Sequence, residues 1–235
     1  MLLATNAKLQ KSTKESEPYL LAGLTLAPHS LSGFDVCSGA SDGCRTSCNM
    51  WFSGRRVMPQ ARYRAVALTR WLMEDRESIL KQLNRDIARH IRRAEQAQLT
   101  PVVRLNMGSD LDWLEVIQQW PCLQFIDYTK IRSRFESYLN GDLPENYHLT
   151  FSRHEKHKDS LIERFLNLGG NVAHVFSEPE LPDTLQVGQG TFPVISGDNH
   201  DVRLPELDGS GVIVGLRLKG TNASKHQARL SGFAS

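Results

Sequence analysis

A chain of 235 residues, with 40% apolar and 23% charged side chains, suits one domain with a core large enough to need no covalent staples. Its formal charge of +2, from 28 basic and 26 acidic side chains, excludes the broad basic footprint of a dedicated nucleic-acid binder, though not a local basic patch. No apolar run approaches the roughly 18–20 residues that span a bilayer, so no membrane partner is expected.

Residues 1–18 read as a flexible or loosely docked arm, and residues 19–235 as a single domain. The arm carries Lys8, Lys11, Lys14, Glu15 and Glu17 and lacks the apolar centre of a secretory signal. The chain therefore reads as cytoplasmic, where thiols stay reduced. Residues 19–27 are short and apolar and predict a strand. Residues 28–54 are rich in Gly, Ser, Asp and Cys, which predicts a long loop able to bend around something bound.

Residues 59–98 predict helix, with a break near 74–77. In the second half, Ile79, Leu80, Leu83, Ile87, Ile91 and Ala94 recur at spacings of three and four and mark a buried stripe. Arg85, Arg89, Arg92 and Arg93 lie on the opposite face, where they are either solvated or able to track a phosphate backbone. Short apolar runs then recur at 102–106, 123–127, 147–151, 171–176 and 211–216. Helical stretches at 110–119, 131–139 and 155–168 separate the first four, the last stopping at Gly169-Gly170. Residues 194–203 predict an extended or hairpin segment, and the small, polar tail after Lys219 is expected to fray.

This alternation predicts an α/β fold: a partial or full (β/α) barrel of about six to seven mostly parallel strands, with the cysteine loop after the first strand. A doubly wound sheet also fits. The barrel is preferred because polar residues stand at the C-terminal end of nearly every strand, where barrel enzymes keep their sites. Asn106, Asp127, Lys130 and Arg153 are the rim candidates for contacts to a cofactor or an unknown substrate.

Three of the four cysteines fall within twelve residues, Cys37-Ser-Gly-Ala-Ser-Asp-Gly-Cys44-Arg-Thr-Ser-Cys48, a C-x6-C-x3-C spacing. Thiolates ligate iron–sulfur clusters and structural zinc, and three of them leave a fourth metal position open. A closed zinc site completed by Cys122 or a histidine is the competing arrangement. Two further polar clusters stand out. His148, His154 and His157 do not form an H-E-x-x-H motif, and Asp198-Asn-His200-Asp201 reads first as a turn.

The cysteine run, followed by Gly54-Arg55 and Ala61-Arg62, resembles the C-P-x-A-S-x-G-C-x-x-x-C motif of the gene product 88 proteins of phages, plasmids and other mobile elements. The layout also resembles radical S-adenosylmethionine enzymes, in which three cysteines after the first strand of a partial barrel hold a [4Fe–4S] cluster. Those enzymes use C-x3-C-x2-C with an aromatic before the last cysteine, where this chain has Ser47. The resemblance implies Cys37, Cys44 and Cys48 as ligands of a [4Fe–4S] cluster, with S-adenosylmethionine at its open iron. The expected function is thus an iron–sulfur enzyme. The alternative is a Zn2+-bearing nucleic-acid-binding or replication-associated protein of a mobile element, acting through Arg85, Arg89, Arg92 and Arg93. The position of Cys122 discriminates a closed site from an open one.

Overall fold

A computed structural model describes residues 1–4 and 18–235. In chain order the elements are β1 (Leu3–Ala4), β2 (Tyr19–Thr25), α1 (Asp42–Thr46), α2 (Asn49–Phe52), a 3-10 turn (Gly54–Val57), α3 (Pro59–Glu74), α4 (Arg76–Gln96), β3 (Thr100–Met107) and α5 (Leu114–Ile117). There follow β4 (Gln124–Thr129), α6 (Arg132–Leu139), β5 (Tyr147–Ser152), α7 (Asp159–Asn167), β6 (Val172–Phe176), β7 (Thr184–Val187), β8 (Gly190–Ser196), α8 (Pro205–Asp208), β9 (Ile213–Arg217) and α9 (Asn222–Leu230).

The strands form one sheet in the order β1-β2-β3-β4-β5-β6-β9-β8-β7. From β2 to β6, and on through β9 to β8, every neighbouring pair is parallel; β1 and β7 are antiparallel edges. The expected barrel of six to seven strands is therefore an open sheet of nine. Both additions lie at the edges. One is the two-residue β1. The other is the β7–β8 hairpin, which turns at Gly188-Gln189 and sets β8 beside β9. Short antiparallel edge strands end the ladder on both sides, so the sheet does not close.

Consecutive parallel strands that neighbour one another in space need crossovers of one hand, which puts their helices on one face. The period-2 alternation of each strand then separates two environments. Val103, Leu105, Phe125, Phe151 and Val172 turn to the helices and join Leu72, Ile79, Leu83, Ile87, Phe135 and Phe165 in the main core. Phe135, Phe151 and Phe165 pack with ring centroids 4.8–5.2 Å apart. Leu21, Val102 and Ile126 turn the other way and meet Val202 and Leu204 from the segment between β8 and β9. Gly23 in β2 is required by close approach: a side chain there would strike the Met107 thioether on β3.

The helical break falls where the sequence expects it. Asp75 leaves helical geometry (φ −144°, ψ 70°), and its carboxylate caps α4 by accepting the Ser78 N–H at 3.2 Å. The buried stripe of α4 includes a histidine and an aspartate besides the apolar residues. His90 Nε2 lies 3.1 Å from the carbonyls of both Leu20 and Val102, fastening α4 to β2 and β3. Asp86 accepts the backbone N–H groups of Leu2 and Leu3, whose side chains are buried. The start of the arm expected over residues 1–18 is thus docked, while residues 5–17 lie outside the described residues. The tail does not fray either. Thr221 caps α9, and Ser235 pairs its backbone with Val175 and Ser177. Among the described residues no helix is long and apolar enough to cross a membrane.

Candidate functional site

The C-terminal ends of the parallel strands surround a pocket of about 240 Å³ on the face opposite the helices. One wall is the long loop that follows β2. Cys37, Cys44 and Cys48 all line it.

The loop is folded by its own side chains. Arg45 reaches back to Asp35 at 2.8 Å, to the Cys37 carbonyl at 3.3 Å and to the Ala40 carbonyl at 3.3 Å. Asp35 also accepts the Cys37 N–H at 3.0 Å. Ser41 caps α1 by accepting the Cys44 N–H at 3.1 Å. A second clamp comes from the segment after β5, where Glu155 accepts the Ser41 hydroxyl at 2.7 Å and the Gly43 N–H at 3.1 Å. Position 43 must be glycine for this contact, because a Cβ would stand 2.9 Å from the Glu155 carboxylate and 2.7 Å from the Ser231 hydroxyl.

Burial, with a smaller contribution from the neighbouring Cys44, pushes the Cys37 thiol up to about 11 and the Cys48 thiol up to about 12. Both are neutral thiols at pH 7 when nothing is bound. Cys37 donates to the Gly108 carbonyl at 3.4 Å and accepts the His29 N–H at 3.3 Å. Three sulfur donors on one pocket wall fit a soft metal or an iron–sulfur cluster. Among the described residues, no group of three or more His, Cys, Asp or Glu side chains already stands in a metal-ligating arrangement. Cys122 does not join the three. It is exposed and enters β4 from its N-terminal end, whereas the cysteine loop leaves the C-terminal end of the parallel β2.

The four rim candidates separate. Asn106 and Lys130 line the pocket. The Asn106 side chain is spent on the turn after β3, accepting from Ser109, Leu111 and Trp113 at 2.8–3.2 Å and donating to Asp127 at 3.2 Å. Asp127 is not on the pocket wall. It belongs to the helix side of β4, accepts from Asn106 N at 2.7 Å and Tyr147 Oη at 3.3 Å, and burial pushes its carboxyl up to about 7. Arg153 also misses the pocket and pairs with Asp159 at 2.7 Å. Lys130 is the candidate whose charge faces the pocket. Its Nζ touches the Ser152 hydroxyl and lies 5.8 Å from the Phe233 ring centroid.

The other clusters fall into place around this rim. His154 and His157 stack with ring centroids 3.5 Å apart, and burial lowers both, His157 to about 4. They flank Glu155, the clamp on the cysteine loop. The 198–201 cluster is the turn the sequence expects. Asp198 accepts the Arg217 N–H at 3.0 Å and pairs with Arg217 and Lys219, and both Asp198 and Asp201 border the pocket. Arg85, Arg89, Arg92 and Arg93 are exposed on α4, on the far side of the sheet, with Arg89 paired to Asp86 at 3.0 Å.

Sequence reasoning missed Arg104 on β3. Its guanidinium lies 4.5 Å over the Tyr128 ring and borders the pocket. The signal was a charged residue amid Val102-Val103 and Leu105, in step with Val102 and Asn106 on the pocket face.

No curated protein and no solved structure matches the chain. The Gene product 88 family matches it over residues 1–233, a span that takes in the cysteine loop, all nine strands and the pocket rim. The chain belongs to the Gene product 88 family.

Proposed function

We propose that this protein is an iron–sulfur enzyme whose cluster is held by Cys37, Cys44 and Cys48 and which acts on a small molecule in the adjoining pocket. The observation that carries the reading is the convergence of the three cysteines on one pocket wall, with Cys122 at the opposite end of the sheet. Three ligands without a fourth leave a coordination position facing the cavity, the arrangement that radical S-adenosylmethionine enzymes use for their cofactor. A bound [4Fe–4S] cluster would supply one-electron chemistry at that position. The chain's own residues do the rest. Arg45 and Glu155 hold the loop in shape, and Lys130 and Arg104 present charge to the occupant. Free thiols suit a reducing, cytoplasmic setting, and the family resemblance favours a gene carried by a phage or plasmid.

The test is iron and acid-labile sulfide analysis of protein purified without oxygen. Stoichiometric iron and sulfide, lost in Cys37→Ala, Cys44→Ala and Cys48→Ala but kept in Cys122→Ala, supports the reading; reductive cleavage of S-adenosylmethionine is then assayed. Colourless protein with one zinc, or no metal after reconstitution, defeats it. The second reading, a zinc-bearing nucleic-acid-binding protein, is favoured by the exposed row of Arg85, Arg92 and Arg93 on α4. It requires salt-dependent binding of DNA or RNA that falls when these arginines become glutamine.

A further inference from the structure

The charges around the pocket do not cancel. Four cations border it: Arg104, Lys130, Arg217 and Lys219. Asp198 meets two of them, Arg217 at 3.3 Å and Lys219 in a close ion pair. Asp110, on the opposite wall, is taken by Arg134 at 2.5 Å, by the Lys130 backbone N–H at 2.7 Å and by the Thr129 hydroxyl at 2.9 Å. Asp201 has interactions of its own.

Arg104 and Lys130 remain. Arg104 stacks on Tyr128, and its Nε is closed off from solvent without a hydrogen-bond partner. Lys130 touches only the Ser152 hydroxyl and carbonyl and faces an aromatic ring. Among the described residues neither has a carboxylate in ion-pair range. A guanidinium and an ammonium on one partly enclosed wall lose hydration, a cost that a bound anion offsets. The two come from neighbouring strands and share the pocket face of the sheet. Val175, Leu216 and Phe233 supply an apolar surface nearby.

We infer that the pocket binds a small molecule through an oxyanion, a carboxylate or a phosphate, that is gripped by Arg104 and Lys130 while its apolar part lies against Val175, Leu216 and Phe233. Guanidinium suits this work because its planar fork meets two oxygens at once. The volume of about 240 Å³ is below the ~300–1,000 Å³ common for drug-sized ligands and restricts the occupant to a small metabolite. The inference rests on the reading of this pocket as the working site, but not on the identity of any metal there.

The experiment is calorimetric titration of the full chain at low ionic strength with three probes: inorganic phosphate, pyrophosphate and succinate. Binding of at least one is expected, with affinity tenfold or more weaker in Arg104→Gln and in Lys130→Gln and unchanged in Lys81→Gln, an exposed residue of α4. Preference for the phosphates over succinate, or the reverse, identifies the oxyanion. Should Arg104→Gln fail to give a native circular dichroism spectrum, Arg104→Lys replaces it; this variant keeps the charge, loses the fork and is expected to bind more weakly. Absence of heat with all three probes, or equal affinity in the pocket variants and the wild type, overturns the inference. Iron, zinc and sulfide are measured on the same preparations. Metal-free protein that binds an oxyanion through Arg104 defeats the cluster reading alone, and cluster-bearing protein indifferent to all three probes defeats the oxyanion inference alone.

Discussion

The two faces of the sheet are built to different rules. The helix face is a continuous apolar layer in which Phe125, Phe135, Phe151 and Phe165 are fully buried, the last three in tilted and edge-to-face ring contacts. The pocket face has only a thin apolar cluster around Leu21, Val102 and Ile126. Beside it, charged groups are carried inward, with Arg203 and Asp208 pairing at 3.2 Å and both side chains almost wholly buried. Burying charge without a full set of partners weakens a fold, while aromatic packing strengthens it. Stability is therefore concentrated on one face, and the other accepts polar burial to shape a cavity.

The sharpest way to break this comparison is to truncate one side chain on each face. Phe135→Ala should cost about 3–5 kcal/mol by urea or thermal denaturation, as expected for a large cavity in a packed core. Arg104→Met, which swaps a half-buried cation whose Nε lacks a hydrogen-bond partner for an apolar chain of similar length, should stay within about 1 kcal/mol of wild type. Equal losses would show that the pocket face carries as much of the fold as the helix face.

A pH series sharpens the contrast at its boundary. Asp127 is a carboxyl on the apolar side, raised by burial to about 7, well above the ~3.9 of an unfolded chain. Between those values the folded state binds more protons than the unfolded one, so this group's contribution to stability is present at low pH and is lost as pH rises toward 7. Asp127→Asn removes that loss. Relative to the variant, the wild type should weaken from about pH 4 to pH 7 by at most about 1.4 kcal/mol per unit. The difference between the two proteins is the proper readout, because buried His157 and His174, both lowered to about 4, push the profile the opposite way.

Smaller effects belong to the clamp. Glu155→Ala removes two hydrogen bonds from the cysteine loop and should cost about 1–2 kcal/mol, with reduced metal uptake after reconstitution. Lys156→Ala, one residue on, opens only an exposed pair with Asp42 and should change neither melting temperature nor metal content.

Much of this was legible because periodicity is a local property. The stripe on α4 and the strand–helix alternation follow from spacing, and the break before Arg76 from a helical run too long for one helix. Closure was not legible, because it depends on what lies at the edges, and a two-residue strand carries too little pattern to read. The rim candidates divide for a reason the sequence does contain. Along β4 and the residue that follows it, Ile126, Tyr128 and Lys130 share one parity and lie on the pocket face of the sheet, whereas Phe125 and Asp127 share the other and face the helices. Ser152 borders the pocket and Arg153 does not. Position at a strand end does not suffice; parity decides.

The cysteine loop keeps its shape through Arg45, Asp35, Ser41 and Glu155, none of which engages a cysteine sulfur. The backbone of the loop is thus fixed by contacts other than the thiols, and an occupant of the pocket would have only the cysteine side chains left to arrange. Under the proposed iron–sulfur reading, protein stripped of its cluster by air would keep this backbone, and reloading would need no refolding.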